Sequence, residues 1–154
     1  MQPRGLRNNN PLNIRRGKSR WLGTRRTVTD KEFEEFQFLS FGYRAAWILL
    51  KNYYSFIILE SGHYTLSAII HRWAPPEDGN DTKAYIRSII RLTGGQVVGN
   101  RPLPLPDTQE GKCIFTLIIR AMTCIECGIG WDEVDTEMIE KGWRQAFEGM
   151  RVKY

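Results

Sequence analysis

Apolar residues change their spacing along the chain, and each change predicts an element. Phe36 and Phe38 alternate with Glu35 and Gln37, the period of a half-buried strand. Upstream, Asn8-Asn9-Asn10-Pro11 is a turn signal: asparagine tolerates left-handed backbone, and proline keeps its predecessor out of the helical region. Asn13-Ile14-Arg15 follows as an extended piece, then a second turn at Arg16 to Ser19, then Trp21 to Val28 with a break at Gly23. Residues 6 to 38 therefore read as a small three-stranded antiparallel meander.

From Ser40 the period becomes helical. Ser40 is a candidate cap for a helix through Tyr43, Ala46, Trp47, Leu50 and Tyr54, with apolar sequence continuing to Leu59 and a break at Gly62. Thr65 caps a helix from Leu66 to Trp73, stopped by Pro75-Pro76. Asp81 caps a third through Tyr85, Ile86, Ile89 and Ile90, closed by Gly94-Gly95. The proline-rich stretch up to residue 106 reads as an extended crossover. Asp107 with Glu110 resembles a capping box for the next helix, and Asp135 caps a last one carrying Met138, Ile139, Trp143 and Ala146. The expectation is a single domain over residues 1–154, α+β and mainly helical, with five or so helices and one small sheet near the N-terminus.

Residues 113 to 128, CIFTLIIRAMTCIECG, carry the strongest signal. Ile114, Leu117, Ile118, Ala121 and Ile125 recur at helical spacing, while Phe115, Ile119, Met122 and the cysteines fill the other sides. A helix apolar nearly all round belongs in the middle of a domain. One carboxylate, Glu126, stands near its C-terminal end. The helix end is partly negative and its surroundings apolar, and both favour the protonated acid. A glycosidase needs such a general acid. The plainer reading is a solvated glutamate in a frayed last turn.

Composition narrows the class. The 154 residues, 42% hydrophobic and 12% aromatic, suffice for one globular core. The longest apolar runs are too short to cross a membrane, and the N-terminus has no apolar signal-peptide core, so delivery outside the cytoplasm would need another agent. Three cysteines fit a reduced compartment better than a disulfide framework. Cys124 and Cys127 form a lone CxxC without a second pair or nearby histidines, which points to core packing; no metal or cofactor is expected. The net charge is +5, and eight of the 22 basic residues precede Asp30, the first acid. That asymmetry suits a polyanion without choosing one.

Several stretches resemble a known family. RGLRNNNPLNIRRG from Arg4, WLGT from Trp21, FEEFQF from Phe33, FGYRAAWILLKNY from Phe41 and RWAPPEDGNDTKAYI from Arg72 resemble a phage and prophage virion-protein family with a lysozyme-like domain. The same order of features is similar to the autolysin glucosaminidases, where an Asp-Thr step also lies shortly before a tyrosine, here Asp81-Thr82 and Tyr85. In those enzymes the catalytic glutamate precedes the asparagine motif. Here the matching helix lies downstream and ends in Glu126, which implies a circular permutation. Glu60-Ser61-Gly62 is a weaker rival.

The resemblance implies a lysozyme-like fold and cleavage of peptidoglycan glycan strands by a muramidase, glucosaminidase or lytic transglycosylase. Glu126 would be the acid. Glu34, Glu35 or Asp81 would be the second carboxylate, although the first two read equally as the wet face of a strand and Asp81 as a plain cap. Asn9, Asn10 and Asn13 offer amides, and Trp21, Trp73 and Tyr85 offer flat faces or a hydroxyl; Asn13, outside the turn proper, is the asparagine expected to reach the site. It also implies a virion-associated or wall-directed protein that can contact other virion proteins. Two other readings stand beside it. One is a catalytically silent virion scaffold. The other is nucleic-acid binding through the basic N-terminal segment, disfavoured because about seven residues separate the two helices that would form a helix-turn-helix.

Overall fold

The computed structural model describes residues 2–149 as six α-helices packed round one core. They are α1 (Arg4–Arg7), α2 (Leu39–Ser61), α3 (Leu66–Trp73), α4 (Thr82–Leu92), α5 (Gln109–Cys127) and α6 (Thr136–Phe147). Three of the expected caps form. Thr65 accepts from the Ala68 N–H, Asp81 from Ala84 and Asp135 from Met138. Gly62 ends α2 in the left-handed conformation, as a side-chain-free residue can.

Three local expectations are corrected. Ser40 does not cap α2; Phe38 takes that position without a side-chain cap, and Ser40 is buried in the first turn. Thr108, not Asp107, caps α5 by accepting from Gly111, while Asp107 pairs with Lys51 at 3.0 Å. Residues 6 and 7, expected to begin the turn-and-strand stretch, instead belong to the short helix α1.

The larger correction concerns the sheet. Among the described residues there is no sheet, so the α+β class with a three-stranded meander does not hold. Only two isolated antiparallel bridges form, Arg15 with Phe33 and Thr24 with Phe36. The alternation at Glu35 to Phe38 does not hold, since Glu35 is buried beside Phe36 while Phe38 is exposed. The backbone here bonds to several separate segments, with Glu34 N–H on Ile14, Phe36 N–H on Asn8 and Gln37 N–H on Gly23. Asn9 Nδ2 donates to the carbonyls of Phe36 and Gln37, at 3.1 and 3.2 Å. Asn10 Nδ2 donates to those of Ile14 and Glu34, at 2.9 and 3.0 Å. These amides take carbonyls that the scattered backbone bonds leave over, so the chain is held without a continuous ladder.

The core lies between α2, α5 and α6, with α3 and α4 along one flank. The deepest side chains of α5 are Phe115, Ile118, Ile119 and Met122; Ile114 and Ile125 of the predicted stripe are only partly buried. Buried polar tips find carbonyls or hydroxyls. Trp47 Nε1 donates to Ile139 at 2.9 Å, Trp143 Nε1 to Pro106 at 2.9 Å, and the Tyr43 hydroxyl meets Thr123 at 3.1 Å. Pro106 ends the crossover, which Leu103 also pins to Tyr64 through a 2.8 Å backbone bond. Gly142 lets α6 lie directly on α2, since a Cβ there would sit 2.8 Å from Tyr43 Cβ. Among the described residues no helix is long and apolar enough to cross a membrane.

Candidate active site

α5 brings Glu126 to the rim of the core in its last turn, two residues before its left-handed cap, Gly128. The N-terminal segment then meets the carboxylate from the far end of the chain. Asn10 folds back on this segment, accepting from the Ile14 N–H while its amide donates to two carbonyls. That clasp holds Asn13 in the left-handed region at φ 53, a conformation open to asparagine at modest cost. Asn13 Nδ2 thereby lies 3.2 Å from Glu126 Oε1 and 3.3 Å from its backbone carbonyl. From α4, the Tyr85 hydroxyl donates to Glu126 Oε2 at 2.9 Å.

A cleft of about 810 Å³ opens over this group. Asn13, Arg15, Trp21 and Phe33 line it from the N-terminal segment. Tyr53, Arg72, Trp73 and Asp78 line it from α2, α3 and the turn after α3. Tyr53 and Trp73 meet edge to face, their ring centroids 6.2 Å apart. Burial is the largest influence on Glu126 and pushes its carboxyl above the ordinary glutamate value. Hydrogen bonds from Tyr85, Asn13 and Trp73 and the charge of Arg15 pull the other way without cancelling it. Burial likewise raises the Tyr85 hydroxyl well above the usual phenol range, and the neighbouring carboxylate adds to the effect. Tyr85 therefore remains a donor throughout the physiological range.

The other sequence candidates divide clearly. Asn13, Trp21 and Trp73 line the cleft, and Tyr85 stands behind the carboxylate. Asn9 and Asn10 are spent on backbone carbonyls. Glu34 and Glu35 are buried away from the cleft in an arginine-rich cluster, not on a wet strand face. Glu35 accepts from Thr29 Oγ1, from the N–H groups of Thr29 and Asp30, and from Arg16 at 2.8 Å. Burial pushes its carboxyl up, but these donors outweigh it and bring it down to about 2. Asp81 is exposed and serves its helix cap. Glu60 pairs with Arg72 from the exposed end of α2. Both thiols of the CxxC are buried and free, and Cys127 donates to the Pro11 carbonyl at 3.2 Å.

No family model matches the chain. It is, however, 36% identical over 150 residues to protein P5 of Pseudoalteromonas phage PM2, an alignment spanning 95% of this chain and 83% of that protein. The chain belongs to the P5 family. It is thus a phage-related protein, as the motif resemblance led one to expect. In this P5-family chain the sequence reading passed over Tyr53, Arg72 and Asp78. Arg72 stands next to Trp73 and Asp78 lies in the turn-forming Pro-Pro-Glu-Asp-Gly run, so adjacency to an already suspected tryptophan was the available signal. Tyr53 gave none, since one more aromatic on an apolar helix reads as core.

Chemically, the arrangement is one partly desolvated carboxyl whose two oxygens are each fixed by a donor, beside aromatic faces and amides. It can give a proton to a group in the cleft and take one back. Of the eight basic residues before Asp30, three are committed within the molecule: Arg4 grips Asp30, while Arg16 and Arg25 attend Glu35.

Proposed function

We propose that this P5-family protein is a peptidoglycan-degrading glycosidase of phage or prophage origin, with Glu126 as general acid. The observation carrying the reading is the placement of one glutamate, raised by burial and fixed by Tyr85 and Asn13, at the base of an aromatic-lined cleft. Glu126 protonates the leaving glycosidic oxygen as the bond to the anomeric carbon breaks. None of the expected second carboxylates faces Glu126, which favours a route in which the substrate's own acetamido oxygen meets the developing cation. The resulting Glu126 carboxylate then recovers a proton from an incoming water, or from a sugar hydroxyl in the transglycosylase variant. Trp21 and Trp73 supply faces for sugar rings. A muramidase, a glucosaminidase and a lytic transglycosylase all fit this scheme.

The P5 relationship supports a phage setting and, by extension, a virion-associated enzyme acting on the host wall in company with other virion proteins. The same relationship supports the second reading, a silent virion part on the same scaffold. Turbidity clearing of purified peptidoglycan separates them. The parent protein is expected to clear it and Glu126→Gln to be slower by about a thousandfold with an unchanged circular dichroism spectrum. A parent protein that clears nothing supports the silent scaffold, and a Glu126→Gln variant that clears normally removes Glu126 from the chemistry.

A further inference from the structure

Guanidinium groups in this protein differ in how fully they are used. Arg4 is bidentate on Asp30 at 2.6 and 2.7 Å, and Arg16 donates to the Asp30 carbonyl at 2.6 Å and to Glu35 at 2.8 Å. Arg72, in the last turn of α3, is not engaged in this way. Its guanidinium carbon lies 4.6 Å from the Phe56 ring centroid and 5.4 Å from that of Tyr53. Among the described residues its one protein acceptor is Glu60 at 3.3 Å, a side chain itself 69% exposed. Its other N–H groups, the buried Nε included, have no hydrogen-bond partner among the described residues.

Arg15 lines the same cleft in a similar state. It lies 5.0 Å from the Phe33 ring and reaches only exposed Glu32, at 3.7 Å. Stacking fixes the plane of a guanidinium while leaving its in-plane donors free, which suits it to a planar anion. Asp78 and Glu126 are the acids lining this cleft. Each guanidinium has one acid beside it, Glu60 for Arg72 and Glu32 for Arg15, and both of those acids are exposed.

We propose that Arg72, with Arg15 in the same cleft, binds a carboxylate borne by the glycan, so that the site selects an anionic, muramate-type strand over a neutral N-acetylglucosamine polymer. The inference rests on the glycosidase reading for its substrate class. Two sources share the chemistry: the carboxylates of the stem peptide, and the lactyl carboxylate that is set free where that peptide has been cut from the muramic ring.

Cosedimentation with the Glu126→Gln protein, which leaves the glycan intact, tests binding apart from turnover. The probes are purified sacculi, sacculi whose carboxyls have been capped as amides, and amidase-stripped strands that retain only lactyl carboxylates. Native sacculi are expected to bind about tenfold more tightly than capped ones, and adding Arg72→Met should erase most of that difference, with Arg72→Lys restoring part of it. An Arg72-dependent preference that persists on stripped strands assigns the lactyl group; one that vanishes there assigns the stem peptide. Equal binding of native and capped sacculi, with no Arg72-dependent binding of stripped strands, overturns the proposal, as does no binding to any of the three probes, or an Arg72→Met loss equal on all of them. Arg72-dependent binding by a parent protein that cuts nothing would uphold the carboxylate site while removing the glycosidase reading.

Discussion

Two donors fix the Glu126 carboxyl, and each favours its ionised form against the effect of burial. Tyr85→Phe removes one of them, so the carboxyl should rise further above its ordinary value. The acid form then persists to higher pH, and the alkaline limb of the rate–pH profile is expected to shift upward while the rate falls about tenfold from lost positioning. A profile that moved to lower pH would contradict the assignment. The same environment bears on stability. A carboxyl raised in the folded state stabilises the fold most below its unfolded value of 4.5, and that contribution is lost as pH rises through the folded value. Glu126→Gln removes the loss, so its thermal midpoint should exceed the parent's by a few degrees near pH 7 and match it near pH 4, as read by thermal melts. Glu126 and Asn13 could be singled out in the sequence because each breaks a local pattern: a lone acid in an apolar helix, and an asparagine beyond its turn. Arg72 breaks none, and its role depends on ring neighbours from another helix.

At the level of elements, the helices were readable because capping chemistry is local. Thr65, Asp81 and Asp135 each satisfy an N–H within three residues, so the sequence alone holds both partners. The N-terminal meander was misread for the opposite reason. Alternation at Glu35, Phe36 and Gln37 misled on burial, because Glu35 is buried with its arginine and threonine partners. Nor does it say what pairs the backbone, which here bonds to Asn8, Gly23 and Arg25 and to the asparagine amides of residues 9 and 10. The segment is also braced by Glu35, only 1% exposed and held to about 2 by its donors. A depressed carboxyl stabilises the fold above its unfolded value of 4.5, and that contribution disappears as pH falls toward 2. Acidification should therefore loosen residues 8 to 36 in that window, visible as faster amide exchange there than in α5. Glu35→Gln should cost about 3 kcal/mol in chemical denaturation at neutral pH, since it strands Arg16 beside an incomplete set of partners. Gly42 ties the segment to α2 by close approach: a Cβ would stand 2.0 Å from the Asn9 carbonyl oxygen, so Gly42→Ala should displace the asparagine clasp and lower the melting temperature.

For the molecule as a whole, the notable arrangement is that residues 13 and 126 meet across 113 positions of chain. The innermost helix carries the acid, and the segment that opens the chain supplies its partner and one side of the cleft. Because residues from 12 to 126 frame the cleft, its geometry depends on segments far apart in the chain, and a fragment lacking α5 would lose it. The central claim is that this fold holds one carboxyl partly dry and ready to donate a proton. NMR titration of isotopically labelled glutamate side chains in the intact protein tests it most directly. The Glu126 carboxyl is expected to titrate above 4.5, higher than the exposed glutamates of the same chain, and a midpoint at or below 4.5 would contradict the account.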